Sequence, residues 1–263
     1  MPTPLEDYLF DLRGFLILRE ALAPDEVAKL NDHIDAVPTL ERGQWHGAVH
    51  RQDQPESSGI NLHQVYEAGV PFEALIDHPS WISHVTRYVG GDDGLFIDEN
   101  FVNLRGIGTA IQLHSGAHKR RIRTQFRFHN NEFRCGQINV LMALSDIGSG
   151  DGATMVIPGS HKSNLMHPQY QPGYGGDTSV DGVEGAIEVH LKSGDAIVFV
   201  DALSHGSAQR VNPGQRRIAI YRYGPHWGNT RYGYLPSREL LERLTPERRN
   251  IVQPIPPLCP PSR

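Results

Sequence analysis

The sequence predicts a mainly β protein with flanking helices, its core a sandwich or barrel of the jelly-roll kind. Three observations lead there. From Gly94 onward the chain breaks into short apolar runs bounded by Gly, Asp and Pro, the pattern of successive strands and turns. Before Gly94 the apolar spacing is largely helical, so helices pack outside one β core. The 263 residues, 38% hydrophobic and 21% charged, suffice for a packed core and argue against disorder. We read residues 1–263 as a single domain: a helical front and lid over 1–93, a jelly-roll core over 94–228, and a C-terminal helix with a proline-rich tail over 229–263.

Each element has its own reason. "GFLILREAL" from Gly14 is a short apolar run suited to a buried strand. Leu22 to Val37 reads as a helix: Pro24 suits the first turn, Asp25 and Glu26 suit its positive end, and Val27, Leu30, Ile34 and Val37 form one stripe. Residues 40 to 65 are polar and read as a long irregular segment or lid. Phe72 to Val89 is a helical pair interrupted at Pro79. The runs "LFIDENFVNL", "GQINVLMALSDI", "ATMVIPGSH", "GAIEVHLKSGDAIVFV" and "RRIAIYRYGP" read as strands. The end, "PIPPLCPPSR", is expected to be extended over the surface or disordered.

Composition excludes some function classes. A net charge of −5 gives no reason to expect a nucleic-acid polymer or a membrane as partner. Two cysteines, Cys135 and Cys259, give no disulfide framework. The start lacks a charged stretch before an apolar core, and no run is long enough to span a bilayer, so a cytoplasmic protein is expected.

Fourteen histidines invite a search for metal chemistry. His205 sits at a strand end and Arg216 opens the next strand. The first can present an imidazole and the second can grip a carboxylate bidentately. The same pattern fits a polar strand end with surface arginines, and spacing alone leaves both open.

Three blocks carry a resemblance. "FDLRGFLILREALAPDEVAKL", "VLMALSDIGSGDGATMVIPGSHKSN" and "GDAIVFVDALSHGS", followed by Arg216-Arg217, stand in this order across nearly the whole chain. They resemble the phytanoyl-CoA dioxygenase family. The resemblance implies a double-stranded β-helix (cupin-like jelly roll), Fe(II) held by a His-x-Asp/Glu motif and a distant histidine, and 2-oxoglutarate and O2 as cosubstrates. Carried over, His205 is the distal histidine and Arg216 the 2-oxoglutarate arginine, with Arg217 the alternative because a register slip of one flips the side chain. His114 is the best candidate for the proximal histidine, with His118 and His129 behind it.

At His114 the sequence departs from the pattern, because the third residue is Gly116 rather than a carboxylate. His-x-Gly resembles the iron/2-oxoglutarate halogenases, in which chloride takes the vacated position, so Gly116 joins the histidines as a catalytic candidate. The rival readings are a carboxylate supplied by Asp98, Glu99, Glu132 or Asp151, a water in an ordinary hydroxylase, and a non-catalytic cupin-like binding protein. Ser207, Asn103 and Gln112 are candidates to hold 2-oxoglutarate. The basic run "HKRRIRTQFR" suggests a small anionic substrate, phosphorylated or a nucleotide, met by Arg121, Arg123 and Arg127 along one strand face. Asn139 and Trp227 are further substrate candidates, and His161 in "PGSHK" is expected to be structural.

Overall fold

The computed structural model describes residues 1–52, 59–91, 94–170, 182–228 and 235–253. The strands, in chain order, are β1 (Phe15–Leu18), β2 (Trp45–His46), β3 (Val49–Arg51), β4 (Ile60–His63), β5 (Leu95–Arg105), β6 (Ile111–His114), β7 (Phe128–His129) and β8 (Glu132–Phe133). They continue as β9 (Ile138–Ala143), β10 (Thr154–Val156), β11 (Ile187–Val189), β12 (Ala196–Val200), β13 (His205–Ser207) and β14 (Arg216–Pro225). Eight form one sheet in the order β1-β12-β9-β14-β5-β4-β3-β2; four form a second, β11-β10-β13-β6; β7 and β8 pair as a small ribbon. The pairings are antiparallel, and side chains from both main sheets line one cavity, the arrangement of a jelly roll.

The large sheet is built on β9 and β12, whose residues are all buried. Such fully buried runs, apolar but for Asn139, belong to strands covered on both faces. Helices cover its outer side. In α1 (Pro4–Arg13), Thr3 and Glu6 close a capping box and Gly14 ends the helix at φ 83°. α2 (Pro24–Ala36) buries Val27, Leu30 and Ile34, the expected stripe. α3 (Val70–Glu73) and α4 (Ile82–Val89) are the interrupted pair, and Trp81 between them is fully buried. The Trp81 indole donates to the Tyr223 hydroxyl at 3.2 Å, while Tyr221 donates to the Phe72 carbonyl at 2.7 Å. These bonds fasten the helical segment to β14. Two short helices, α5 (Arg238–Arg243) and α6 (Pro246–Val252), close the described chain where one was expected.

Two expectations change. The segment 40–65 is not simply a lid: β2, β3 and β4 extend the large sheet at its β5 edge. Polar sequence hid them: Trp45 and His46 are exposed, and Asn61 and His63 line a polar cavity, so apolar alternation is missing. The run from Arg121 to Arg127 is not a strand, so alternation does not align its arginines. The proline-rich tail and Cys259 lie outside the described residues; Cys135 is buried, which pushes its thiol pKa up.

Candidate active site

The histidines meet across the small sheet. β6 pairs with β13 so that His114 and His205 are direct cross-strand partners, and a register shift follows before Ser207. Their ring centroids are 4.3 Å apart. His114 Nδ1 lies 2.9 Å from the Gln112 carbonyl and His205 Nδ1 2.7 Å from that of Leu203. A carbonyl only accepts, so each Nδ1 carries the proton and each Nε2 keeps a lone pair. Burial, then the neighbouring His114, lowers the His205 pKa. Crowding by its neighbours also lowers that of His114, although the residue as a whole is exposed to solvent. Both rings are therefore neutral at pH 7, the state a metal ligand needs. Two neutral imidazoles fixed side by side fit a divalent transition metal.

The cavity beside them has a volume of about 310 Å³. Period-two alternation on β14 points Arg216, Ile218, Ile220 and Arg222 into it, and on β5 Glu99, Phe101 and Asn103. Arg217 faces the other way, toward Asp35 at 2.6 Å and Asn31 at 3.2 Å. Between the register alternatives, Arg216 is the one in the cavity. Its guanidinium donates to the Gly152 carbonyl and, at 2.7 Å, to Asn103 Oδ1. Ser207 also lines the cavity. Gln112 does not, and contributes its carbonyl to His114 instead. A buried guanidinium with amide and hydroxyl neighbours fits the remote carboxylate of 2-oxoglutarate.

One wall is a continuous polar relay. Asn103 donates to Asn61 Oδ1 at 2.7 Å, Asn61 to Gln52 at 3.0 Å, and His63 Nε2 meets Gln52 at 3.1 Å. His63 lies 3.7 Å from Glu99, which pairs with Arg222 at 2.8 Å. Leu141, Phe199, Ile218 and Ile220 give the cavity an apolar side. Sequence reading missed Gln52, Asn61 and Arg222, and it favours a surface position for His63, a candidate cover for the site, whereas that residue is buried in the cavity wall. Alternation along "INLH" and "RRIAIYR" was the signal available for three of them.

Among the described residues no third His, Cys, Asp or Glu groups with a pair to hold a metal. Asp98 binds Gln137, Glu132 pairs with Arg134, and Asp151 pairs with Arg210. Glu99 reaches the cavity but is engaged by Arg222. Gly116 is buried at φ +105°, in the left-handed region that disfavours side chains. A Cβ there would stand 2.6 Å from the His118 ring and 3.2 Å from Ser204 Oγ. The space a carboxylate would enter is thus partly filled by His118, whose Nε2 is buried without a hydrogen-bond partner. His129 lies on the β7–β8 ribbon, away from the pair.

The proposed substrate arginines lie outside the cavity lining. Arg121 and Arg127 are exposed, and Arg123 pairs with Asp201 at 3.2 Å. Asn139, fully buried, donates to Asp201 at 3.4 Å, and Trp227 is 57% exposed. Asp201 also accepts from Ser115 at 3.0 Å, so this cluster braces the turn after His114. His161 is buried and its Nε2 meets the Asp11 carbonyl at 3.0 Å.

Comparison with known proteins identifies the family and the fold. The family model described as phytanoyl-CoA dioxygenase (PhyH) matches residues 10–218. The dioxygenase cdmD of Talaromyces verruculosus is 25% identical over 95% of this chain and 84% of its own length. The ectoine dioxygenase of Streptomyces anulatus is 24% identical over 70% of this chain and 57% of its own length. In fold, HygX from Streptomyces hygroscopicus, solved with iron bound, superposes with a TM-score of 0.72 at 22% identity, covering 86% of this chain and 88% of that one.

Proposed function

The chain belongs to the phytanoyl-CoA dioxygenase family, a non-haem iron and 2-oxoglutarate-dependent enzyme by that membership, and from this premise we propose that His114 and His205 hold its iron. Bound there with 2-oxoglutarate and O2, iron supplies an oxidant able to take hydrogen from an unactivated C–H bond. Every other role falls to the chain. The carbonyls of Gln112 and Leu203 hold the imidazoles in one tautomer. Arg216, with Ser207 and Asn103, anchors the remote carboxylate of 2-oxoglutarate. Leu141, Phe199, Ile218 and Ile220 exclude water from the reacting region. The wall from Asn61 to Glu99 and Arg222 orients a small polar substrate by hydrogen bonds. Lys119, Arg120 and Arg121, exposed after His114, would meet an anionic substituent on it. One observation carries the reading: the cross-strand register that makes His114 and His205 neighbours.

Chlorination is the finer reading, supported by Gly116 and by the absence of a third ligand among the described residues. Hydroxylation is the second reading, favoured by the His118 ring, which crowds the place where chloride would sit. The test is anaerobic. Fe(II) and 2-oxoglutarate added to the protein should produce the visible charge-transfer band of a chelated 2-oxo acid, and His205→Ala should abolish it. A wild-type protein with no such band sinks the assignment. Chloride that shifts the band supports chlorination; a band indifferent to chloride leaves hydroxylation.

A further inference from the structure

A second buried guanidinium stands beside the first. Arg105 ends β5 on the face that carries Glu99, Phe101 and Asn103, and it is the cross-strand partner of Arg216. The two are 1% and 2% exposed. Like charges placed opposite each other across an antiparallel pair repel. Arg210, 4% exposed, adds a third cation, and its carboxylate is Asp151 at 3.1 Å. Arg105 and Arg216 have no carboxylate partner among the described residues. Arg105 donates to the Ser207 hydroxyl and the Thr109 carbonyl, and Arg216 to the Gly152 carbonyl and the Asn103 amide, all neutral acceptors.

Charge buried without a counter-charge is expensive. The cost is visible in Arg216, whose pKa burial, Arg105 and Arg210 push down to about 9. Arg105 is lowered by burial and Arg210. The chain makes room for this crowding at Gly152, φ +72°, where a Cβ would stand 3.3 Å from Arg105 Nη1 and 3.1 Å from the Arg210 side chain. Ser207 Oγ accepts from Arg105, so its own proton remains to donate into the cavity it lines.

We propose that Arg105 is a positioning residue for a dianionic cosubstrate: it supplies a second positive charge behind Arg216 and turns the Ser207 hydroxyl outward, so that the Arg105–Arg216 pair meets a counter-charge only when a remote carboxylate lies against it. This rests on the reading of the cavity as the 2-oxoglutarate site. It adds that the protein without cosubstrate stores repulsion which that carboxylate relieves.

The test compares acids with and without the remote carboxylate. With Mn(II) in place of iron, Arg105→Gln should weaken 2-oxoglutarate binding on the order of tenfold. Binding of 2-oxobutyrate, which lacks the remote carboxylate, should stay within about twofold of wild type. Equal losses for both acids, or no loss for either, overturn the proposal. Should Arg105→Gln fail to fold, the metal-free wild type decides: glutarate should raise its melting temperature and neutral glutaramide should not. Equal shifts from the two overturn it. If Mn(II)-loaded wild type binds neither oxo acid while glutarate still stabilises the metal-free protein, the metal assignment fails and the cation pair stands.

Discussion

The two sheets that face each other across the cavity contribute to it in different ways. The large sheet works through its longest strands: β5 and β14 pair along their length, and simple alternation sends Glu99, Phe101 and Asn103 from one and Arg216 to Arg222 from the other into the cavity. The small sheet works through strand ends. β6 has four residues and β13 three, the register shifts just after the His114–His205 pair, and Ser115 and Gly116 follow at φ 68° and 105°. A long regular ladder makes a durable wall whose chemistry is set by which residue occupies each alternate position. A short irregular pairing can bring two imidazoles to one point, but it depends on a braced turn to keep them there.

The comparison can be broken at the small sheet first. His205→Ala should lower Mn(II) or Fe(II) affinity by at least about a hundredfold with little change in the thermal midpoint, since one imidazole cannot replace two. Calorimetric titration checks this, and metal affinity within a few-fold of wild type would move the metal elsewhere. At the large sheet, Arg216→Leu should leave metal affinity intact and weaken 2-oxoglutarate by about 2 to 3 kcal/mol, the worth of a charge-assisted bond. A matched loss of metal affinity would mean that the two ends are not separable.

Smaller effects sharpen the contrast. Gly116→Ala should cost about 1 to 3 kcal/mol in chemical denaturation, because a Cβ at that φ is strained and meets His118. Tyr223→Phe should cost about 1 to 2 kcal/mol without altering metal affinity: it leaves the fully buried Trp81 indole without the acceptor that ties the helices to β14. The smallest effect concerns pH. Burial alone would raise the Asp195 pKa, but the backbone N–H groups of Glu20 and Lys192, together with Arg19, outweigh it and lower the pKa below the ordinary 3.8. A lowered folded pKa gives stability that is present above the unfolded value and lost as pH falls through the folded one. Wild type should therefore lose stability below about pH 4 more steeply than Asp195→Asn. Parallel acid limbs in the two proteins would remove Asp195 from the account.

Much was legible along the chain because it is local. The α2 stripe of Val27, Leu30 and Ile34 reads directly from a 3.6-residue period, and the buried runs of β9 and β12 from continuous apolar sequence. His114, His205 and Arg216 were also readable as residues. The basic run from Arg121 to Arg127 misled, because alternation has meaning only on a strand, and that segment turns instead, giving Arg123 to Asp201. The strands β2 to β4 escaped because they are short and mix exposed positions with the cavity-lining Asn61 and His63, and so lack the apolar alternation that marks a half-buried strand.

By itself the sequence determined which side chains were available and the local period that shapes each element. Tertiary structure alone decided that Arg216 rather than Arg217 enters the cavity, that Arg105 stands opposite it, and that His118 fills the space before Gly116. The reason is register. Residues far apart in the chain become neighbours only when strands pair, and a shift of one position on β5 or β14 would turn Arg105 or Arg216 to the opposite face.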